Sequence, residues 1–171
     1  EVFDSIVVGP GIGKQQVTID AVQGLIDNFQ NIVIDADAIV PYDFRDGNIL
    51  LTPHKGELSR LGVDPEKKSL MDFSNSNNLT ILFKGKEDFI TDGHYFKTNM
   101  TGHPRMSVGG TGDLLAGFCG GLMAKGLSAF EAARLGAYSL GKAGELCYDE
   151  FGAGFLPTDL ATCVSKIIRK N

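Results

Sequence analysis

The sequence predicts an α/β fold in which short buried strands alternate with amphipathic helices around a mainly parallel sheet. Three observations support this prediction. Short, β-branched apolar runs recur along the chain, each followed by glycine, acidic or proline residues. Segments with apolar residues at helical spacing separate most of these runs, which is the alternation expected of βα units. An Asp-Gly pair joins two further β-rich runs and predicts an antiparallel hairpin at one side of the sheet.

Length and composition fit one ordinary globular domain. The chain has 171 residues, of which 43% are hydrophobic and 22% charged, and a net charge of −5. The acidic balance gives no electrostatic support for nucleic acid or an anionic membrane as a partner. No apolar run reaches the ~20 residues of a membrane-spanning helix. The three cysteines form no CxxC pair, so we expect reduced thiols in a cytoplasmic protein.

The first βα unit contains a glycine-rich loop. Residues 5–9 predict a buried strand, and residues 14–30 have apolar side chains at helical spacing. Between them lies Gly9-Pro-Gly-Ile-Gly13, at the carboxyl end of the strand, where ligands bind in open α/β sheets. The loop lacks the full dinucleotide-binding fingerprint and the Ser/Thr of a P-loop. We therefore interpret it as a loop of close backbone approach.

Two acidic residues stand at the end of the second strand. Residues 31–38 predict a buried strand that carries Asp35 and Asp37 near its end. Because side chains alternate along a strand, residues two apart face the same side. Two like charges so placed need a metal, water or backbone N–H groups as partners. The other interpretation is that both carboxylates cap the following loop.

The third βα unit brings a histidine to the same edge of the sheet. A strand over 49–51 leads into Thr52-Pro-His54, and a short helix over 57–61 follows. Pro53 ends the strand and stiffens the loop. Because no second histidine is near, we expect His54 to form hydrogen bonds rather than to ligate a metal.

The remaining elements follow from the same patterns. Asp64 is expected to cap a further helix, and residues 79–85 predict an apolar strand that ends in Lys84-Gly85. The other predicted elements are the hairpin over 89–97, a long helix from 129 to about 150 opened by a Ser128–Glu131 capping box, and a last helix capped by Thr158 or Asp159.

The stretch Met106-Ser-Val-Gly-Gly-Thr-Gly-Asp113 carries the strongest chemical signal. Its glycines allow positive φ and close approach to a ligand, and residues 114–124 predict a helix. Free N–H groups and the helix dipole would then converge to form an anion site. Asp113 could take the proton from a hydroxyl that attacks a phosphoryl group. The alternative is a glycine-rich turn in which Asp113 is only the helix N-cap.

Six motifs together resemble one family, the nucleotide-dependent NAD(P)H-hydrate dehydratases of the ribokinase-like superfamily. The motifs, in chain order, are Gly9-Pro-Gly-Ile-Gly13, Asp35-Ala-Asp-Ala38, Leu51-Thr-Pro-His-Lys-Gly-Glu57, Phe83-Lys-Gly85, Asn99-Met-Thr-Gly102 and Gly109-Gly-Thr-Gly-Asp113. The resemblance runs from about residue 5 to the end. It implies one ribokinase-like three-layer α/β/α domain over residues 1–171, with a mainly parallel sheet and an antiparallel hairpin at one side.

The resemblance also implies an activity. Family members remove water from hydrated NADH or NADPH, with ADP or ATP as co-substrate and Mg²⁺ as cofactor. The ring hydroxyl is phosphorylated, and phosphate then leaves in place of hydroxide. The sequence does not distinguish ADP from ATP, or hydrated NADH from hydrated NADPH.

The resemblance assigns roles to individual residues. Asp113 would be the catalytic base. The residues implied to form the anion hole are Gly110, Thr111 and Gly112. Those implied to bind the nucleotide are Lys84, Gly85, Lys86, Glu87, Asp88 and Gly112. Those implied to bind the hydrated coenzyme are Gly11, His54, Asn99 and Asp113. Asp35 and Asp37 are candidates for binding a metal.

The sequence departs from the family pattern in two places. Ile39-Val-Pro41 stands where the family usually has a Leu-Asn-like pair, so the role of that Asn is not transferred. Family domains also begin with further strands and helices before the Gly-Pro-Gly loop. We therefore expect either a fragment or a complex with a chain that supplies this part; a homotetramer is the oligomer that the resemblance implies.

Two other functions remain open at this stage. The first is a small-molecule kinase of the same superfamily, acting on a vitamin precursor or a sugar and stopping at the phosphoester. The second is a non-catalytic nucleotide-binding subunit. Thr52-Pro-His54 and the Gly-Pro-Gly loop favour the dehydratase over the kinase. Asp113 argues against a pure binding subunit, which has no need of a base.

Overall fold

Within residues 3–169, which the computed structural model describes, six strands form one sheet whose spatial order follows the chain. The strands are β1 (Ile6–Val8), β2 (Asn31–Ile34), β3 (Asn48–Leu51), β4 (Thr80–Phe83), β5 (Asp88–Thr91) and β6 (Phe96–Asn99). β1 to β4 pair in parallel, and β5 and β6 continue the sheet as an antiparallel hairpin. This confirms the predicted sheet. Residues 1, 2, 170 and 171 of the predicted domain lie outside the described residues.

Helices cover both faces of the sheet. The helices are α1 (Gln16–Asn28), α2 (Lys55–Arg60), α3 (Lys67–Asn77), α4 (Thr111–Ala124), α5 (Ala129–Phe151) and α6 (Pro157–Arg169). α1 to α3 pack on one face and α4 to α6 on the other, which gives the predicted α/β/α layers. In the described part of the chain, no helix is both long enough and apolar enough to cross a membrane.

Side chains of the central strands alternate between the two faces of the sheet and contribute to two separate hydrophobic cores. In β2, Ile32 and Ile34 contribute to the core under α1–α3, whereas Val33 contributes to the core under α4–α6. The middle residues of β3 and β4, Leu50 and Leu82, also belong to the α4–α6 core. Strands covered on both faces are apolar along most of their length, and each fully buried aliphatic side chain stabilises the fold by about 1.5–3 kcal/mol.

The second strand ends earlier than the sequence predicts. β2 stops at Ile34, and residues 36–38 form a 3₁₀ turn in which Ala36 has a φ of 53°. A left-handed residue breaks the alternation of a strand, so Asp35 and Asp37 point to different partners. The prediction that one strand carries both carboxylates is therefore wrong. Because Arg60 donates a hydrogen bond to the Ala36 carbonyl (3.2 Å), contacts with α2 help to fix this turn.

Several helices begin at other residues than predicted. α2 begins at Lys55, two residues before the predicted start at 57. α3 begins at Lys67 with Glu66 as its N-cap residue, so Asp64 does not cap the helix; the backbone N–H of Asp64 instead donates to the Ser69 hydroxyl (3.2 Å). α4 begins at Thr111, which places Asp113 inside its first turn and makes Gly110 the N-cap. The alternative in which Asp113 is only the N-cap is therefore wrong.

The predicted cap of α5 is confirmed, whereas Thr158 and Asp159, the predicted caps of α6, lie inside that helix. Ser128 and Glu131 form the expected capping box of α5, with both reciprocal hydrogen bonds present. α6 begins at Pro157, and the Asp159 carboxylate accepts a hydrogen bond from the Leu156 N–H (2.8 Å) at its start.

Glycines in α5 allow close approach by two different neighbours. A Cβ atom at Gly136 would lie 2.5 Å from the sulfur of Cys119 in α4, so this glycine permits helix–helix packing. A Cβ atom at Gly141 would lie 2.7 Å from the backbone carbonyl group of Thr101. α5 therefore positions the loop that leads from β6 towards α4.

A disulfide joins α5 to α6. Cys147 and Cys163, separated by 16 residues, are bonded with their Cα atoms 6.2 Å apart, and Cys119 is free and buried. The expectation of reduced thiols is therefore wrong for two of the three cysteines. An odd number of cysteines argues against a complete disulfide framework but does not exclude one bridge between packed helices.

Thiol counting tests the pairing. We expect no reactive thiol in the native protein, because burial raises the pKa of Cys119 to about 12 and the other two cysteines are bonded. One thiol should react in denaturant without reductant, and three after reduction. Three reactive thiols in denaturant without reductant would contradict the disulfide.

A pair of Gly→Ala substitutions tests the packing around α5. Gly141→Ala should lower the free energy of unfolding by about 1–3 kcal/mol, because the new methyl group displaces the Thr101 backbone. Gly121→Ala in α4 is the control: its Cβ atom would meet no atom within 4 Å, so it should raise the free energy of unfolding by about 0.5–1 kcal/mol. Urea denaturation measures both, and equal effects would contradict the close contact.

Candidate active site

The motifs singled out in the sequence meet at the carboxyl ends of the parallel strands. The Gly-Pro-Gly loop follows β1, the Asp35–Asp37 segment follows β2, His54 follows β3 and Lys84 follows β4. The N-terminus of α4 lies against this edge, because a Cβ atom at Gly112 would be 3.4 Å from the Lys84 Nζ atom. Parallel pairing of four strands therefore assembles one site from segments far apart in the chain.

The glycine-rich loop makes its close approach to the neighbouring strand. Gly9 has a φ of +133°, and a Cβ atom there would lie 1.7 Å from the carbonyl oxygen of Asp35. The N–H of Asp35 donates to the Val8 carbonyl (3.0 Å), so the two strand ends are in direct backbone contact. The interpretation of close backbone approach is confirmed, with protein backbone as the partner at Gly9.

Asp37 holds the far end of the same loop. Its carboxylate accepts a hydrogen bond from the Gly13 N–H (3.3 Å) and pairs with the Lys14 ammonium (3.3 Å). Gly11, between the two anchored ends, is exposed, and a Cβ atom there would meet nothing within 4 Å. Open space at Gly11 is compatible with the predicted contact to the hydrated coenzyme, which stays a prediction.

Asp35 has partners on two other strands. Its Oδ1 atom accepts hydrogen bonds from the Thr52 hydroxyl and from the Lys84 ammonium, each at 2.7 Å. The side chain of Asp35 is only 2% exposed. A buried carboxylate is costly unless it is paired and hydrogen-bonded, and both conditions are met here.

His54 forms a reciprocal cap with Glu57 at the start of α2. The Nδ1 atom accepts hydrogen bonds from the backbone N–H groups of Gly56 (2.9 Å) and Glu57 (3.3 Å), and the Glu57 carboxylate accepts from the His54 N–H (2.8 Å). Because Nδ1 is an acceptor, the proton is assigned to Nε2, which lies 3.1 Å from the other Glu57 oxygen. The expected hydrogen bonding of His54 is confirmed, with protein partners at both ring nitrogens.

Glu57 was not assigned a role from the sequence, although it lies at the centre of the polar cluster. Its carboxylate contacts His54 on one side and lies 3.8 Å from the Lys84 ammonium on the other. The missed signal is the capping-box spacing, with a polar N-cap residue followed three positions later by Glu. Histidine is an unusual N-cap, which hides the pattern.

The turn after β4 is tightened by Asp88. Asp88 accepts hydrogen bonds from the Gly85 N–H (3.1 Å) and from the Asn99 side-chain amide (2.9 Å). Burial raises the pKa of Asp88, and the bond from Asn99 offsets part of that increase. Gly85, Lys86 and Glu87 are exposed, whereas Asp88 and Asn99 bond to each other. Roles of these residues in binding nucleotide or coenzyme stay predictions.

The start of α4 presents donors that lack partners. In the part of the chain that the structure describes, the backbone N–H groups of Gly112 and Asp113 meet no acceptor, and the first bond of the helix runs from the Leu114 N–H to the Gly110 carbonyl (3.0 Å). The Thr111 hydroxyl is buried, also without a partner. Unsatisfied donors at a helix N-terminus form an anion site, and the helix dipole has the same sign.

Asp113 is the acidic group beside these donors. It is exposed, and its carboxylate makes no hydrogen bond or ion pair with any residue between 3 and 169. A free carboxylate next to an anion site is available to accept a proton from a bound hydroxyl group. This geometry suits a base in phosphoryl transfer.

The acidic residues between positions 3 and 169 do not form a metal centre. Within residues 3–169, no group of three His, Cys, Asp or Glu side chains could hold a metal ion. Asp35 is engaged by Thr52 and Lys84, and Asp37 by Gly13 and Lys14. The residues present therefore do not fit a magnesium ion held by the protein alone, and the metal assignment of these two residues lacks geometric support.

A family model and curated relatives both match this chain to proteins named for NAD(P)H-hydrate dehydration or repair. The family model described as NAD(P)H-hydrate dehydratase matches residues 1–166. A bifunctional NAD(P)H-hydrate repair enzyme of Methanospirillum hungatei is 39% identical over 170 residues, with 96% of this chain and 35% of the relative covered. An ADP-dependent (S)-NAD(P)H-hydrate dehydratase of Cenarchaeum symbiosum is 34% identical over 179 residues, with 98% of this chain and 62% of the relative covered. The chain thus spans about a third of the first relative's length and under two thirds of the second's.

Solved structures show the same architecture. A Bacillus subtilis ADP/ATP-dependent NAD(P)H-hydrate dehydratase, co-crystallised with ATP/Mg²⁺, superposes with a TM-score of 0.88 at 27% identity, with 99% of this chain and 65% of that chain covered. A hydroxyethylthiazole kinase of Pyrococcus horikoshii superposes with a TM-score of 0.75 at 21% identity, with 98% of this chain and 75% of that chain covered, and shares the fold. On the match over residues 1–166, this chain belongs to the NAD(P)H-hydrate dehydratase family.

Proposed function

We propose that this chain dehydrates hydrated NADH or NADPH, with ADP or ATP as the phosphoryl donor. The observation that carries the proposal is the set of unpartnered donors at the start of α4, where two backbone N–H groups and the Thr111 hydroxyl lie beside the free carboxylate of Asp113. Such a site binds a phosphoryl group and removes a proton from the hydroxyl that attacks it. The names of the relatives indicate hydrated NAD(P)H as the substrate.

In the first step, the ring hydroxyl attacks the terminal phosphorus of the nucleotide. Asp113 accepts the hydroxyl proton, and the bond from that phosphorus to its bridging oxygen breaks. The charge that develops on the phosphoryl oxygens is stabilised by the N–H groups of Gly112 and Asp113 and by the Thr111 hydroxyl, three donors without other partners in residues 3–169.

In the second step, the carbon–oxygen bond breaks and inorganic phosphate leaves. The ring nitrogen lone pair assists this departure, and loss of a proton from the neighbouring ring carbon restores the double bond. The hydroxyl oxygen departs within the phosphate, and the net result is removal of water at the expense of one phosphoanhydride bond. Phosphorylation is useful because hydroxide is a poor leaving group.

The surrounding residues divide between the two ligands. His54 and Gly11 lie on the side of the β1 and β3 loops and would contact the hydrated coenzyme. The exposed turn of Gly85, Lys86 and Glu87 would lie along the nucleotide, with Asp88 and Asn99 holding the turn in shape. Asn99 then acts on the coenzyme side chiefly through the position of the following loop, since its Oδ1 atom accepts from the Thr101 hydroxyl (2.9 Å).

Magnesium is expected to enter with the nucleotide phosphates, as it commonly does. The related Bacillus subtilis dehydratase was co-crystallised with ATP and Mg²⁺ together. Within residues 3–169, the protein's own carboxylates do not supply a matching set of ligands, so the steps above are assigned only to this chain's residues.

We also propose that further polypeptide completes the domain at β1, either from the same protein or from another chain, and that the assembled protein is a cytoplasmic homo-oligomer. The support is exposed apolar surface: Val7 in β1 is 39% exposed, and Val17 in the first turn of α1 is 70% exposed. The outer edge of β1 has no strand partner within residues 3–169.

Light scattering of the purified protein measures the oligomeric state, and a monomer would contradict the proposed homo-oligomer.

Recovery of nicotinamide absorbance tests the activity. Purified protein is mixed with hydrated NADH and Mg²⁺, and with ADP or ATP in parallel. We expect the absorbance to return with at least one nucleotide and inorganic phosphate to accumulate in equal amount. Formation of a stable phosphoester without recovery of absorbance would indicate a kinase and contradict the dehydratase.

Asp113→Asn tests the base. We expect turnover to fall by about 10²–10⁴-fold, because proton removal from the attacking hydroxyl is lost, while the affinity for ADP changes little. The control is Asp46→Asn, which alters a carboxylate that accepts a hydrogen bond from Asn78 at the amino ends of β3 and β4, the edge of the sheet opposite the site, and should leave turnover unchanged. Full turnover in Asp113→Asn would reject the catalytic assignment.

A further inference from the structure

The ammonium of Lys84 lies between two buried carboxylates. Its Nζ atom is 2.7 Å from Asp35 Oδ1 and 3.8 Å from Glu57 Oε2. The exposed fractions of the side chains are 19% for Lys84, 2% for Asp35 and 7% for Glu57, so solvent screens these interactions only weakly. The Thr52 hydroxyl donates to the same oxygen of Asp35 (2.7 Å) and fixes the orientation of the carboxylate.

This charged cluster lies directly beneath the anion site. A Cβ atom at Gly112 would be 3.4 Å from the Lys84 Nζ atom and 3.9 Å from Asp35 Oδ2. Gly112 is the second residue of α4 and carries one of the unpartnered N–H groups. The absence of a side chain at Gly112 therefore leaves the ammonium next to the donors that would bind a phosphoryl group.

The backbone of Lys84 is fixed as well. Its N–H donates to the Pro53 carbonyl (2.8 Å), which ties the ends of β3 and β4 together. A free lysine side chain loses rotamer entropy when it is held in one place. In the folded protein the hydrogen bond to Asp35 already holds the side chain in place, so this entropy is lost on folding and not on ligand binding.

We propose that Asp35 is a positioning residue that holds the Lys84 ammonium at the N-terminus of α4 for contact with the nucleotide phosphates, and that Thr52 orients Asp35 for this purpose. The inference rests on the proposed function of the site. Lysine has three N–H donors. One donates to Asp35, so the others are available to phosphate oxygens. A preorganised charge binds an anion better than a mobile one does.

A double-mutant cycle separates positioning from simple charge pairing. If Asp35 positions Lys84, Lys84→Met should weaken ADP binding strongly in the wild-type background and weakly in the Asp35→Asn background. If Asp35 is only a counter-ion, its removal unmasks the lysine charge, and Lys84→Met should then cost as much or more in the Asp35→Asn background. The two explanations therefore predict opposite signs of coupling.

Isothermal titration calorimetry with ADP and Mg²⁺ measures the cycle in the full chain. We expect Lys84→Met to weaken binding about tenfold or more in the wild-type background and less than about threefold with Asp35→Asn. An equal or larger loss in the Asp35→Asn background would overturn the inference. So would failure of the wild-type chain to bind ADP.

Thr52→Val covers the case in which Lys84→Met does not fold. It keeps every charge and nearly the same volume but removes the hydrogen bond to Asp35, so ADP binding should weaken about two- to fivefold. Wild-type affinity in Thr52→Val would contradict the positioning role. Asp46→Asn, at the amino ends of β3 and β4 where Asp46 accepts a hydrogen bond from Asn78, is the control and should keep wild-type affinity.

The readout also separates this inference from the proposed function. ADP binding with the expected coupling but without dehydration would reject only the dehydratase activity. Dehydration with the opposite coupling would reject only the positioning role of Asp35.

Discussion

The arrangement of the site depends on the buried ion pair between Asp35 and Lys84. These residues stand at the ends of β2 and β4, and Thr52, at the end of the intervening β3, donates to the same carboxylate. A buried pair of charges adds little net stability compared with apolar packing, but removal of either charge alone is costly. The pair therefore specifies geometry: three strand ends must keep their relative positions for the charges to remain paired, and the ammonium then lies beside the start of α4.

The start of α4 is the complementary feature. Within residues 3–169, the folded chain leaves the buried Thr111 hydroxyl without a partner there, although buried polar groups in proteins are nearly always hydrogen-bonded. Two backbone N–H groups beside it also lack an acceptor among the same residues. An unpaired buried hydroxyl destabilises the folded protein, and a hydrogen bond to a bound anion would remove this destabilisation. Gly110 takes a positive φ (95°) as the N-cap of α4, and Gly112 lies next to the Lys84 ammonium, so the donors and Lys84 lie close together.

Much of the fold could be predicted because the patterns are local. Apolar strands, helical spacing and the Ser128–Glu131 capping box indicated the right elements in the right order, and the Asp-Gly turn indicated the hairpin. The errors lie where distant contacts decide the backbone. The left-handed turn at Ala36 ended β2 early, and α3 begins at Lys67, after Glu66 rather than Asp64 as its N-cap. The Cys147–Cys163 disulfide was missed for the same reason, since spacing alone does not show which helices pack together.

Motifs and periodicities were enough to establish the family, the α/β layers and the residue types at the ends of the strands, because short segments of the sequence carry these signals. Which of those residues share a partner became clear only from the folded chain. Asp35 and Asp37, two positions apart, bind different groups, whereas Asp35, Thr52 and Lys84, on three separate strands, form one cluster. The physical reason is that a buried charge takes the partner that the folded strands bring within hydrogen-bond distance, and sequence separation does not set that distance.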